Sequence, residues 1–235
     1  MTTYTLRLLE DRLAPGQERH VHDIGGAEAG PSSGRVVIYV AAGSVTTNAT
    51  GPLHTDEAWH STLADLDGHA VAGSEGAHLL RFELLPQPVV DGGGNRQAVA
   101  APLVASERAA ASIDVAWSGS FLLRCDRVDF PPGGIAYLHT HAGSGIRYLL
   151  FGDLWIESGE RQARIHVRPG GAWFERAGEP VLAPASATEP TAFVRVMVLP
   201  PELQGQRSIR YLDPADQDKP KPQRYSLLVD DLVEL

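Results

Sequence analysis

The chain has 235 residues, 43% of them apolar and 21% charged, a composition that suits a globular protein with one large or two small cores and excludes a disordered chain. Its formal charge of -9, with no Lys/Arg-rich run, argues against a nucleic-acid partner, because such a surface repels a phosphate backbone. No apolar run approaches membrane-spanning length, and Glu10 and Asp11 stand where a secretory segment needs an apolar core, so a cytoplasmic protein with no membrane partner is expected.

In chain order, residues 4–9, 35–41, 78–84, 121–130, 145–151, 163–167 and 192–199 are rich in aliphatic and aromatic side chains, and many of these runs are bounded by Gly, Pro, Asp or Ser. Such runs read as strands. Only residues 106–112 have a helix-friendly composition. Many short strands broken by turn residues predict an all-β sandwich or barrel. The lone cysteine, Cys125, rules out an intrachain disulfide and reads as a small buried strand residue in a reducing compartment.

The two halves repeat each other. Trp59 and Arg81 are separated by the same twenty-two residues as Trp173 and Arg195. Upstream, Tyr39-Val40-Ala41-Ala42-Gly43 matches Tyr148-Leu149-Leu150-Phe151-Gly152, and further upstream His20-Val21-His22 matches His139-Thr140-His141. The offset between the halves changes from anchor to anchor, which is how a duplicated unit differs when loops change length between constant strands. Residues 85–97, with two prolines and three successive glycines, read as the linker. This places an N-terminal unit at 1–92 and a C-terminal unit at 93–235.

Gly133 is followed after five residues by His139-Thr140-His141, then by Gly152, and later by Pro169-Gly170-Gly171-Ala172-Trp173-Phe174-Glu175. This pattern resembles the cupin family. Its first motif runs Gly, five residues, His, any residue, His, three or four residues, Glu, six residues, Gly; its second centres on Pro-x-Gly and ends in another His. Counted with the weaker first repeat, the resemblance covers nearly the whole chain. It implies an all-β fold of two tandem jelly-roll barrels of double-stranded β-helix type, assembled as a homodimer. A C-terminal tail, residues 213–235, is expected to pack along an open barrel edge.

Residues at i and i+2 of a strand share a face, so His139 and His141 can both point inward and offer imidazole nitrogens to one ion. Both halves depart from the family pattern. The glutamate position falls on Gly145 and the last histidine on Val181; in the first half the corresponding positions are Val36 and Asp67. Two imidazoles hold a divalent ion more weakly than three or four ligands do. The pair therefore reads either as a metal site for iron, manganese, nickel or zinc, or as a hydrogen-bonded pair touching ligand without metal. His20 and His22 are the weaker candidate pair, with His60 near them, and Glu175 and His166 are conceivable replacement ligands. Arg147 lies one strand repeat beyond Gly145: facing inward it grips a carboxylate, facing outward it is a surface arginine. Trp173, Glu175 and Tyr148 complete the expected pocket, while Trp59, Trp155 and Trp173 also read as large apolar fillers.

The resemblance implies an enzyme in which His139 and His141 hold a metal and Arg147 orients a small organic acid, in the dioxygenase, isomerase or lyase classes. The missing ligands favour a different reading, a non-catalytic small-molecule-binding or sensory protein. Metal-free chemistry with a histidine base beside Glu175 is a third. In each case the expected partner is a small anionic molecule.

Overall fold

The computed structural model describes residues 2–20, 34–47, 49–63, 69–87, 106–115, 117, 119–158 and 163–234. The chain divides into two units, residues 1–116 and 117–235. In the first, β1 (Thr2–Leu13), β2 (Glu18–His20), β3 (Arg35–Thr47), β4 (Pro52–His54), β5 (Ala58–Thr62), β6 (His69–Pro86) and β7 (Ser106–Val115) form one sheet. Its order is β4-β3-β6-β1-β7, with β2 on β6 and β5 on β3. In the second, β8 (Ser120–Phe130), β9 (Ile135–His141), β10 (Ser144–Phe151), β11 (Leu154–Ser158), β12 (Ala163–Val167), β13 (Ala172–Glu175), β14 (Val181–Pro184), β15 (Thr191–Leu199), β16 (Ile209–Tyr211) and β17 (Arg224–Glu234) form two sheets, ordered β13-β10-β15-β8-β17 and β12-β11-β14-β9-β16.

Each strand-like run of the sequence lies within one of these strands. The helix-friendly segment does not form a helix: residues 106–112 belong to β7, paired antiparallel with β1. Tertiary pairing overrides a weak helical preference here, because β1 offers a free ladder and a short helix would have no apolar face to bury. This pairing also attaches β7 to the first unit, so the chain divides beyond the boundary expected near residue 92, a position outside the described residues.

The repeat recurs in the registers. Ile38 stands opposite Trp59 on one side and Arg81 on the other; Arg147 stands opposite Trp173 and Arg195 in the same way. Both central strands carry a bulge just beyond this point, ending in Gly43 and Gly152, each with φ +77. At each glycine a Cβ would lie closer than 2.5 Å to a backbone carbonyl oxygen, of Gly76 and Pro190 respectively. Both positions thus require a residue with no side chain and a left-handed backbone.

The cores follow from strand alternation. In the first unit, Val36, Ile38 and Val40 of β3 pack with Leu13, Leu79, Trp59 and Leu63. A buried charge network shares this unit: Arg7 Nε donates to Glu83 Oε2 at 2.8 Å, Arg81 pairs with Glu83, and Arg81 Nε donates to Asp11 Oδ2 at 3.1 Å. Two guanidiniums face two carboxylates, which balances their charge. In the second unit, Val128, Phe130, Leu149, Trp173 and Phe193 of one sheet meet Leu154, Ile156, Val167 and Val181 of the other, placing the core between the sheets. Cys125 is buried, and burial, then Asp126, pushes its thiol well up, so it is an inert packing residue. The tail returns as β17 along β8, at the edge of its sheet.

Candidate functional site

The chemistry-bearing side chains of the second unit converge on the space between its sheets. On β9, His139 and His141 are both buried and share a face. Nδ1 of His139 is 2.6 Å from the Tyr137 carbonyl oxygen. A carbonyl only accepts, so Nδ1 carries the proton and Nε2 keeps its lone pair. That Nε2 lies 3.1 Å from Nε2 of His141.

From the other sheet, Arg147, Trp173, Glu175 and Arg195 complete the site. The Arg147 side chain is 1% exposed; its Nη1 donates to the Gly145 carbonyl at 2.6 Å, and its Nη2 lies 2.7 Å from Glu175 Oε2. The latter contact is an ion pair, since its angle does not meet hydrogen-bond geometry. Glu175 Oε1 accepts from Trp173 Nε1 at 2.8 Å, and Oε2 lies 3.5 Å from His141 Nε2. Arg195 grips Asp126 with two bonds, Nε to Oδ1 at 2.6 Å and Nη2 to Oδ2 at 3.0 Å. The interior thus holds two guanidiniums and two carboxylates.

Burial lowers Arg147 to about 10 against the opposing pull of Glu175, so it remains a cation at neutral pH. Burial also lowers His139, opposed by the Tyr137 hydrogen bond and by Glu175. His141 is held well below the usual range by burial, then by Arg195, Arg147 and His139. Both imidazoles are therefore neutral. The folded state binds their protons more weakly than the unfolded chain, so the stability they carry is complete above an unfolded value of about 6.5 and is lost as pH falls below it. Thermal melts between about pH 7.5 and about pH 5 are expected to fall more steeply for the wild type than for His139→Gln/His141→Gln. Equal slopes would contradict this assignment.

Two cavities adjoin. The inner one, about 20 Å³, is bordered by the histidines, Arg147, Trp173 and Glu175 and has room for a water or an ion. The outer one, about 360 Å³, is bordered by Arg124, Arg195, Arg207, Lys221 and Gln223 among others, and shares Arg195, Ile209 and Tyr225 with the first. Residues beyond β15 build much of it. Ile209 and Tyr211 of β16 lie opposite His141 and His139, and Arg124 secures the preceding segment by donating to the Leu203 and Gln206 carbonyls, each at 2.8 Å.

The donor set does not fit a tightly held divalent ion. No group of three or more metal-ligating side chains stands together among the described residues. Gly145 has no room for the glutamate that the cupin pattern puts at this position, because a Cβ there would lie 2.4 Å from the Val196 carbonyl oxygen. Val181, opposite His139, is a buried apolar residue. Glu175, the remaining carboxylate, already faces Arg147, whose buried charge would repel an added cation.

Among the expected site residues, the structure brings His139, His141, Arg147, Trp173 and Glu175 together, with Arg147 facing inward. Tyr148 is not with them. It follows Arg147 on β10 and so faces the opposite side, and it borders neither cavity. His166 lies on β12, hydrogen-bonded to Asp153 at 2.9 Å and stacked on Trp155 at 4.5 Å; Trp155 is thus an outward-facing residue and not a core filler. In the first unit, His20 pairs with His69 in the β2–β6 register, while His22 lies outside the described residues. Val36, at the glutamate position, is buried among apolar side chains. Sequence reading missed Arg195 with Asp126, whose only signal was the repeat of Arg81 at Arg195.

Paired sheets enclosing an interior histidine pair in the second unit, on a chain of two units whose strand registers repeat, define a protein with the cupin fold. Among solved structures, oxalate decarboxylase of Bacillus subtilis is similar to this chain at a TM-score of 0.57. One structure of it is 13% identical, covering 92% of this chain and 73% of that one, and another is 11% identical, covering 94% and 80%. A cupin 2 conserved barrel domain protein from Leptotrichia buccalis is 14% identical over 84% of this chain and 87% of that chain, with a TM-score of 0.44. No protein-family model and no curated protein matches the chain.

Proposed function

We propose that the second unit binds a small anionic organic molecule in the outer cavity, without a tightly held metal. The cationic lining of that cavity carries the reading. Asp126 and Asp230 engage Arg195 and Arg124, while Arg207 and Lys221 have no carboxylate partner among the described residues, on a chain whose net charge is -9. A volume of about 360 Å³ suits a small metabolite-sized ligand. The Bacillus subtilis neighbours are named for oxalate, and one of their structures concerns Mn(II) centres. Oxalate therefore belongs among the probes, with and without manganese.

Titration calorimetry with oxalate, malonate, succinate and benzoate is expected to give saturable binding of at least one of them, abolished by Arg207→Glu/Lys221→Glu. Binding should be the same in metal-free protein. No binding by any of the four, or binding that appears only with added manganese, iron, nickel or zinc, would overturn the reading. A second reading, proton transfer by His139, is favoured by the unprotonated Nε2 that the Tyr137 contact leaves, with His141 Nε2 beside it at 3.1 Å. Deuterium washing into a bound hydroxy or keto acid, lost in His139→Gln, would establish it.

A further inference from the structure

We propose, resting on the anion-binding reading above, that the ligand is an amphipathic carboxylate, its acid group on Arg207 and Lys221 and its aryl or alkyl body against Tyr225 and Leu227. Both of these apolar residues border the outer cavity, yet Tyr225 is 46% and Leu227 55% exposed. They stand two apart on β17, opposite Val128 and Asp126 of β8. Val128 borders the inner cavity and Asp126 the outer one, so this is the face of β17 that looks into the site. Ile209, on β16 of the other sheet, adds a third apolar side chain to the lining.

A single exposed leucine on a protein surface needs no explanation. Here two large apolar side chains share one face, and that face lines a concave space that also holds cations without carboxylate partners. Lys221 Nζ donates only to the Gln217 and Lys219 carbonyls and lies over the Tyr211 ring at 4.7 Å, while Arg195 lies over the Tyr225 ring at 5.8 Å. Charge and apolar surface thus stand side by side in one cavity. A short diacid would answer the cations and leave Tyr225 and Leu227 in water. An acid with an apolar body answers the cations and covers both residues, and covering apolar surface is favourable in proportion to its area.

The test is calorimetry on the full chain with butyrate, hexanoate, benzoate and phenylacetate, set against oxalate and malonate. Hexanoate is expected to bind about fivefold or more tighter than butyrate, because two further CH2 groups leave water. Its heat-capacity change on binding should be the more negative of the two, a readout that needs no variant. Leu227→Ser/Tyr225→Ser should bring the ratio of hexanoate to butyrate affinity down towards one. Leu232→Ser, at a residue 48% exposed on the same strand that borders neither cavity, should keep the wild-type ratio. Equal affinity for hexanoate and butyrate, tighter binding of oxalate or malonate than of every apolar acid, a ratio that survives the double variant, or one that Leu232→Ser abolishes as well would overturn the inference and leave anion binding standing. Failure of all six acids to bind would overturn the anion-binding reading itself.

Discussion

Replacing Arg147 with methionine is expected to destabilise the second unit by about 3–5 kcal/mol, lowering its melting temperature by about 10 °C or more. The methionine fills similar volume, so the loss is electrostatic. Glu175 would stay buried with Trp173 Nε1 as its remaining strong donor, and removing one member of a buried pair leaves an uncompensated charge. The companion variant Arg147→Met/Glu175→Gln should recover most of the loss, because both charges go together. A double-mutant cycle by thermal and denaturant melts reads this directly. If the single variant were as stable as wild type, Arg147 would not be the internal counter-charge of the site.

The second large effect concerns Gly145 and Val181, the two positions where the cupin pattern has a glutamate and a histidine. Gly145→Glu/Val181→His, which supplies both donors of that pattern, is expected to destabilise by about 3 kcal/mol or more and to retain no manganese or zinc after dialysis. The cause is steric before it is electrostatic. A Cβ at Gly145 meets the Val196 carbonyl at 2.4 Å and the Met197 Cα at 3.0 Å, so β10 and β15 must separate. Histidine at Val181 must also displace apolar neighbours in a filled core. Elemental analysis and a melt decide it. A stable variant holding stoichiometric metal would show that the backbone yields and would overturn the steric argument.

The fold was largely legible because period-two alternation and turn residues are local signals, and because duplication wrote them twice. The equivalence of Ile38 with Arg147 made the repeat visible as a register and not merely as spacing. The inward direction of His139, His141 and Arg147 follows from alternation along β9 and β10. The same alternation, applied with care, removes Tyr148 from the pocket, since neighbours on a strand cannot share a face. The segment 106–112 misled because composition weighs helix against coil and is blind to an open sheet edge beside β1.

By itself the sequence determined an all-β chain of two related units, a histidine pair on one strand face and the loss of two expected donors, since each depends on neighbours a few residues apart or on self-comparison. Tertiary structure alone decided that Arg147 answers Glu175, that Asp126 answers Arg195, and that β16 and the tail bring Tyr211 and Tyr225 to the cavity. The two ion pairs join neighbouring strands of one sheet whose residues lie far apart in sequence. Their register is set by the packing of the whole unit, which no local period encodes.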